Sequence, residues 1–204
     1  MTKSTANLIS ALGHPFLLLP LVLAWLTILK VGFEAAWPTL AAIFICIVVM
    51  VVFLYFKKKK GEISNWDVSV RKERASNIYR PILLLTLVAA SALYFLGQPF
   101  IGDTLFFGLL MLVCYAINAK IKVSQHTVMG YYVSFLVLPV HFWIGLGLLA
   151  FAPFIGWSRI VLGRHKKIEV LVGTIVGVIF GVLHWILFDY RLDWWLVPHP
   201  PNGL

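Results

Sequence analysis

Acidic side chains are scarce in this chain. Asp and Glu account for only 8 of the 204 residues, against 17 Lys and Arg, and charged residues of both signs make up 12% of the sequence. A soluble domain usually carries about twice that charged fraction, so a soluble globular class is excluded. The few carboxylates form no cluster with the spacing of ligands for a divalent cation, and neither a metal nor another cofactor is predicted.

Cysteine is also rare. The two cysteines, Cys46 and Cys114, each lie inside an apolar run. Thiols placed in this way are typical of small buried or lipid-facing residues, and they predict neither a disulfide nor a metal pair.

Apolar residues, by contrast, are abundant. They make up 61% of the sequence, and the mean hydropathy is +0.92. Long apolar runs alternate with short polar segments, as expected for helices that cross a bilayer, and the first run is too long for the core of a signal peptide. We therefore predict an all-α, polytopic membrane bundle of about six to seven segments, forming one domain over residues 1–204. The runs cover about 8–29, 39–56, 81–96, 100–119, 128–157 and 169–188, with a turn expected at 32–38.

The apolar residues of 128–157 allow two interpretations. A single tilted helix places His126 and His165 on opposite membrane faces, whereas a hairpin broken near Pro139-Val140-His141 brings both to one face. Two arms of about 15 residues reach only about 22 Å each, which is short for a hydrocarbon core of about 30 Å. The polar residues described below nevertheless favour the hairpin.

Positive charge collects on one face in the hairpin topology. That face holds 15 of the 17 Lys and Arg, including the run 57–60, and only Lys30 and Arg191 lie on the other. In a soluble protein a net charge of +9 would suggest nucleic acid, but here the charge relates to the membrane and no nucleic acid partner is predicted. An anion-binding site explains the clustering, and so does the tendency of cytoplasmic loops to be basic.

Three polar segments on this face carry residue types suited to phosphoryl chemistry. Arginine offers a planar fork of donors to phosphoryl oxygens, and histidine can act as a nucleophile or carry a proton near neutral pH. Glu169 follows His165 by four residues, so one helical turn brings its carboxylate to the imidazole. A charged interfacial loop without chemistry is the alternative. The segments contain Arg71, Lys72, Arg74 and Arg80; then Lys122, Ser124 and His126; then Ser158, Arg159, His165 and Glu169.

The third segment resembles a motif of the type 2 phosphatidic acid phosphatases, which is commonly written SRxxxxxHxxxD. Ser158-Arg159 is followed after five residues by His165 and after three more by Glu169. Glu replaces the Asp of the motif, which keeps the carboxylate on a longer arm. The resemblance covers about residues 67–180.

Two further motifs of that family are matched more loosely. Ser124-Gln125-His126 keeps the Ser-x-His spacing of PSGH without its Pro and Gly, and Lys122 makes it similar to the KxSxH form of some bacterial members. Arg80-Pro81 fits the end of KxxxxxxRP, but Glu73 stands where that motif has Lys. Lys72, Arg74 and Arg80 therefore remain alternatives for the basic residues of the first motif.

The resemblance implies an enzyme of phospholipid metabolism. It would hydrolyse a phosphomonoester or diphosphate of a membrane lipid through a phosphohistidine, without a metal. His165 is the implied nucleophile, Glu169 orients it, and His126 gives a proton to the leaving group and then activates water. The implied phosphate-binding residues are Arg159, Ser124, Lys122, Arg74, Arg80 and Ser158, although a capping role fits Ser158 as well. Phosphatidate, phosphatidylglycerol phosphate and polyprenyl diphosphates are alternative substrates.

Two other functions are consistent with part of this pattern. A transferase would pass the phosphoryl or head group to an acceptor other than water, and a non-enzymatic protein would only bind anionic lipid heads. Many members of the resembling family face the periplasm or exterior, whereas the basic run 57–60 favours a cytoplasmic site in a plasma membrane of bacterial type. The sequence does not indicate an oligomeric state.

Overall fold

The computed structural model describes residues 2–68 and 70–188, and these are helical with no strand. The predicted all-α class is confirmed. Arg191, which the hairpin topology places on the less basic face, lies outside the described residues. The helices are α1 (Lys3–Leu12), α2 (Pro15–Lys59), α3 (Arg71–Arg74), a π-helical turn (Ala75–Tyr79), α4 (Arg80–Phe95), α5 (Ile101–Asn118), α6 (Gln125–Val137), α7 (Phe142–Val161) and α8 (Lys167–Phe188).

The first apolar run is not one helix, contrary to the sequence prediction. α1 ends before Gly13, and α2 begins at Pro15 after His14 in an extended conformation. A residue before proline is driven out of the helical region, and proline is well suited to the first helical turn. The His14 ring accepts a hydrogen bond from the Phe16 amide at 3.2 Å, which caps α2. The break lets α1 fold back and pack against α7.

The expected turn at 32–38 is confined to Gly32. The backbone leaves the helical region only at Gly32, where φ is 78° and ψ is 163°, and the helix then continues through Pro38 to Lys59. Glycine reaches positive φ without a steric penalty, so it takes the kink between the two arms of α2.

The third apolar run begins earlier than Pro81. A helix starts at Arg71 and passes through the π-helical turn into α4. Proline cannot donate to the carbonyl four residues before it, and a π turn accommodates this missing bond. The extra helix carries Arg74 inward, where it is buried, while Arg80 is exposed.

The structure confirms the hairpin. α6 ends at Val137, Pro139 lies in the break, and His141 caps α7 by accepting a hydrogen bond from the Ile144 amide at 3.4 Å. α6 has 13 residues, or about 20 Å, and is largely buried between α7 and α8. It therefore lies at the centre of a group formed with α2, α7 and α8, which all pack against it.

Five helical stretches in the described residues are long and apolar enough to cross a membrane. They are Lys3–Lys59, Arg71–Phe95, Ile101–Asn118, Phe142–Val161 and Lys167–Phe188. Many of their large apolar side chains are exposed, including Phe44, Leu84 and Ile186. Such surfaces are compatible with an integral membrane protein.

Small residues let α8 approach α6 closely. A Cβ added to Gly177 would lie 2.6 Å from the Val128 carbonyl oxygen, and one added to Gly173 would lie 2.9 Å from the Ser124 carbonyl oxygen. The small-xxx-small spacing of these glycines predicts such contact, because backbones pack together only where side chains are absent.

We expect Gly177→Ala to lower the free energy of unfolding by about 1–3 kcal/mol, because the backbone of α6 must move to admit a methyl group. Gly147→Ala is the matched control, since an added Cβ there meets nothing within 4 Å. Its stability should be unchanged or higher by up to about 1 kcal/mol. Thermal unfolding in detergent compares the two, and equal midpoints would contradict the account of this contact.

Candidate functional site

The polar segments converge at one end of the bundle, around His165. His165 Nδ1 lies 2.8 Å from Glu169 Oε2 across the start of α8. An ionised carboxylate only accepts hydrogen bonds, so this contact places the proton on Nδ1 and leaves the lone pair on Nε2. Glu169 is itself held by the Lys166 amide at 3.2 Å, in the first helical turn where an anion is stabilised. The contact between His165 and Glu169 is the one that their four-residue spacing in the sequence predicts.

Arg74 faces the other nitrogen of the same ring. Its Nη2 lies 3.3 Å from His165 Nε2, and the guanidinium is fixed by donating to the carbonyls of Val68 at 2.9 Å and Val123 at 2.6 Å. The structure thus brings Arg74 to the histidine. Arg80 and Lys72 are exposed and stand outside this group.

Arg159 is the second buried guanidinium of the site, 3% exposed. Its Nη1 donates to Ser10 Oγ at 2.6 Å, and its Nη2 is ion-paired with Asp67. Its Nε–H is buried without a hydrogen-bond partner among the described residues.

Three residues of this neighbourhood were missed by the sequence interpretation: Ser10, His14 and Asp67. Asp67 lies in an irregular segment with no spacing that relates it to a helix face, so no sequence signal marked it. His14 was visible only as the residue before Pro15, and its ring packs edge-on against His126 with centroids 5.0 Å apart. Asp67 and His14 reach the site only through contacts between segments that are distant in the sequence.

His126 and Ser124 enter the site from the N-terminal end of α6. His126 Nδ1 lies 4.0 Å from Asp67 Oδ1, and both His126 and Ser124 are buried. The Ser124 amide donates to the Glu169 carbonyl at 3.2 Å, which ties the start of α6 to α8. Ser124 Oγ accepts from Thr127 Oγ1 at 2.9 Å and keeps its own proton available as a donor.

Lys122 and Ser158 differ in their relation to the site. Lys122 Nζ lies 3.6 Å from Glu169 Oε2 and donates to the Arg164 carbonyl at 2.6 Å. Ser158 is fully buried, and its hydroxyl donates to the Ile155 carbonyl within α7 at 2.7 Å. The Ser158 hydroxyl proton is therefore used inside its own helix.

The electrostatic environment keeps both histidines neutral without a ligand. Burial lowers the pKa of His165, and the nearby charges of Arg74 and Lys122 lower it further, to about 2. Burial and then the charge of Arg159 lower the pKa of His126 well below 6.5. A neutral imidazole with a fixed tautomer has the lone pair that nucleophilic attack requires.

We expect His165 to remain neutral at about pH 5 in the ligand-free protein, because its folded pKa is depressed. Unfolded histidine takes up a proton below about pH 6.5 and the folded residue does not, so the free energy of unfolding should fall as the pH decreases through that range. The ring ¹⁵N shifts of labelled histidine measure the protonation directly, with His165→Gln assigning the signal. Titration of His165 near pH 6.5 would contradict this environment.

An apolar cavity of about 260 Å³ reaches the cluster from the bundle interior. His14, Asp67, Arg74 and His126 line its polar end. Apolar side chains from four helices continue it, including Leu23, Leu85, Met111 and Met129, and Asp103 and His184 lie at its far end. Those two side chains approach within 3.4 Å, and His184 lies 15 residues beyond Glu169 along α8, or about 22 Å.

Within residues 2–68 and 70–188, no group of three or more His, Cys, Asp and Glu side chains is placed to hold a metal ion. Cys46 and Cys114 are free thiols.

Comparison with protein-family models, with curated proteins and with solved structures gave no match. The family named from the sequence motifs therefore stays a resemblance, and the site is interpreted from its own geometry.

Proposed function

We propose that this chain is a membrane enzyme that hydrolyses a phosphomonoester or diphosphate of a lipid through a phosphohistidine on His165. The observation that carries the proposal is the arrangement of His165 between Glu169 and Arg74. Glu169 fixes the proton on Nδ1, and the unprotonated Nε2 lies 3.3 Å from Nη2 of the buried Arg74 guanidinium. A phosphate held by that guanidinium would bring phosphorus to the nucleophilic lone pair.

The reaction proceeds in two displacements. His165 Nε2 attacks phosphorus, the bond from phosphorus to the leaving oxygen breaks, and that oxygen takes a proton from the conjugate acid of His126. Water then attacks the phosphorus of phosphohistidine and gives a proton to His126, and the P–N bond breaks to release inorganic phosphate. His126 recovers the proton it donated, and His165 recovers its lone pair.

Fixed cations stabilise the phosphoryl charge in this scheme. Arg74 and Arg159 are buried guanidiniums already held in position, so little reorganisation is needed when a phosphate arrives. A phosphate dianion near His126 favours the protonated ring, because an opposite charge a few Å away stabilises imidazolium. The bound substrate thus supplies the charge that the acid form of His126 requires.

The apolar cavity supports a lipid as the carrier of this phosphate. It begins at Arg74 and His126 and continues between apolar side chains of α2, α4, α5 and α6. An amphiphile with an anionic head and a long chain matches that combination, because each part meets a surface of its own polarity. Phosphatidate, phosphatidylglycerol phosphate and polyprenyl diphosphates all have this form.

The experiment is phosphate release from short-chain phosphatidate by the detergent-solubilised protein, with EDTA present. Release that continues in EDTA is the expected result. Product formation that depends on an added acceptor, with little free phosphate, would indicate a transferase instead. Absence of any turnover on phosphatidate, phosphatidylglycerol phosphate and a polyprenyl diphosphate would contradict the enzymatic proposal.

A further inference from the structure

We propose that the Asp67 carboxylate occupies the phosphate position of the ligand-free site, so that a phosphate must displace it and every anion binds more weakly than it would without Asp67. The inference rests on the proposed function for the identity of the anion. Asp67 is ion-paired with Arg159, and its oxygens lie 3.9 Å from Arg164 Nη1 and 4.0 Å from His126 Nδ1. The carboxylate therefore lies among the groups that would bind a phosphoryl group.

The hydrogen bonds of Arg159 indicate that Asp67 fills this position incompletely. Nε and Nη2 lie on one edge of a guanidinium, and that edge suits bidentate binding of an oxyanion. Asp67 takes Nη2, while Nε–H is buried without a partner among the described residues. A buried donor left unpaired is costly, and a phosphoryl group with several oxygens would satisfy both donors of this edge.

The backbone beside Asp67 is strained in the same state. Val68 is buried and has φ of 43°, in the left-handed region that a β-branched residue rarely adopts. Its carbonyl accepts from Arg74 Nε at 2.9 Å, so the strained turn is tied to the site. Displacement of Asp67 gives this turn an opportunity to relax, which lowers the cost of exchanging the carboxylate for a ligand.

Exchange with a carboxylate lowers the affinity of the site for every anion. Only the fraction of molecules in which Asp67 has left its position can bind a ligand, so the apparent dissociation constant of each anion is raised by the same factor. The ratio between the affinities of two anions is set by the surrounding cations, which attract a phosphomonoester dianion or a diphosphate more strongly than a singly charged phosphodiester. Asp67 thereby keeps the ligand-free site closed to weakly bound anions, such as the phosphodiester heads that most bilayer lipids carry.

The test compares binding of inorganic phosphate and dimethyl phosphate by calorimetric titration of the full chain in detergent. We expect Asp67→Asn to bind both anions at least about tenfold more tightly than the wild type does, because neither anion then has to displace a carboxylate. Glu62→Gln is the control, because it removes one exposed carboxylate from the same connecting segment, where Glu62 pairs with Lys57. It should keep the wild-type affinity for both anions.

Unchanged or weaker binding of both anions by a folded Asp67→Asn protein would overturn the inference. Absence of anion binding in every variant would overturn it together with the phosphate site. If both affinities rise as expected but no variant releases phosphate from any lipid, the role of Asp67 stands and the phosphatase proposal fails.

The wild-type chain offers a second measurement that does not depend on the stability of a variant. Trp66 precedes Asp67, and its ring stacks on Tyr55 with centroids 6.5 Å apart. Displacement of Asp67 should move this ring, so inorganic phosphate is expected to change the tryptophan emission of the wild type and not that of Trp66→Phe. An emission change that persists in Trp66→Phe, or none in the wild type at saturating phosphate, would contradict the displacement.

Discussion

Replacement of His165 by glutamine is expected to lower the turnover of phosphate release by at least about a thousandfold. Glutamine can keep polar contacts with Glu169 and Arg74, but its amide has no nucleophilic lone pair. The loss should appear in kcat, since the cations proposed to bind phosphate are unchanged and substrate binding should persist. Phosphate release from solubilised protein at saturating substrate measures it.

His141→Gln is the matched control for this substitution. His141 caps α7 at the loop between α6 and α7, and α6 separates that loop from the site at Ser124 and His126. Its turnover should stay within about threefold of the wild type, because helix caps act mainly on stability. Retention of more than about a tenth of the activity by His165→Gln would exclude His165 as the nucleophile.

Replacement of Arg74 by lysine is expected to lower kcat/KM by about a hundredfold. The Arg74 guanidinium donates to the carbonyls of Val68 and Val123 and also contacts the His165 ring. A single lysine ammonium cannot make all three contacts. The free energy of unfolding should also fall by about 1–3 kcal/mol, because a buried carbonyl loses its donor. Steady-state kinetics and thermal unfolding in detergent measure the two effects separately.

Arg80→Lys is the control that the chain itself provides. Arg80 is exposed beside Pro81, and it was an equal alternative to Arg74 for the first motif. We expect its kinetics and stability to match the wild type, since exposed basic side chains contribute little. Equal losses in both variants would contradict the assignment of the phosphate-binding arginine to Arg74.

The part of the site that depends on local geometry was predictable from the sequence. His165 and Glu169 are four residues apart, and the first turn of α8 brings them within 2.8 Å. Arg159 precedes His165 across the end of α7 and a turn at Gly163, where φ is 66°. The order of residue types around a helix end fixes such contacts, and long-range packing has little influence on them.

The choice between Arg74 and Arg80 was not predictable from spacing. It depends on a helix that starts at Arg71 and passes through a π-helical turn before Pro81, and helix boundaries near proline are decided by packing as much as by sequence. Arg74 can be buried because the carbonyls of Val68 and Val123 accept hydrogen bonds from its guanidinium. The second of these acceptors lies 49 residues away along the chain.

The contacts of Asp67 and Ser10 with Arg159 could not be predicted from the sequence for a related reason. Each contacts Arg159 from a segment far away in the chain, at a separation of 92 residues for Asp67 and 149 for Ser10. Ser10 reaches the site only because the first apolar run breaks at His14 and α1 folds against α7. The hairpin, in contrast, was predictable once both histidines were required on one face.

The central claim is a covalent phosphoryl group on His165, and chemical trapping tests it most directly. Solubilised protein is mixed with ³²P-labelled short-chain phosphatidate and quenched in alkali within one turnover. We predict a labelled protein whose phosphate survives alkali and is released by acid, as a phosphoramidate requires, with the label on His165 and absent from His165→Gln. Turnover without any labelled protein, or label of equal amount in His165→Gln, would contradict the account.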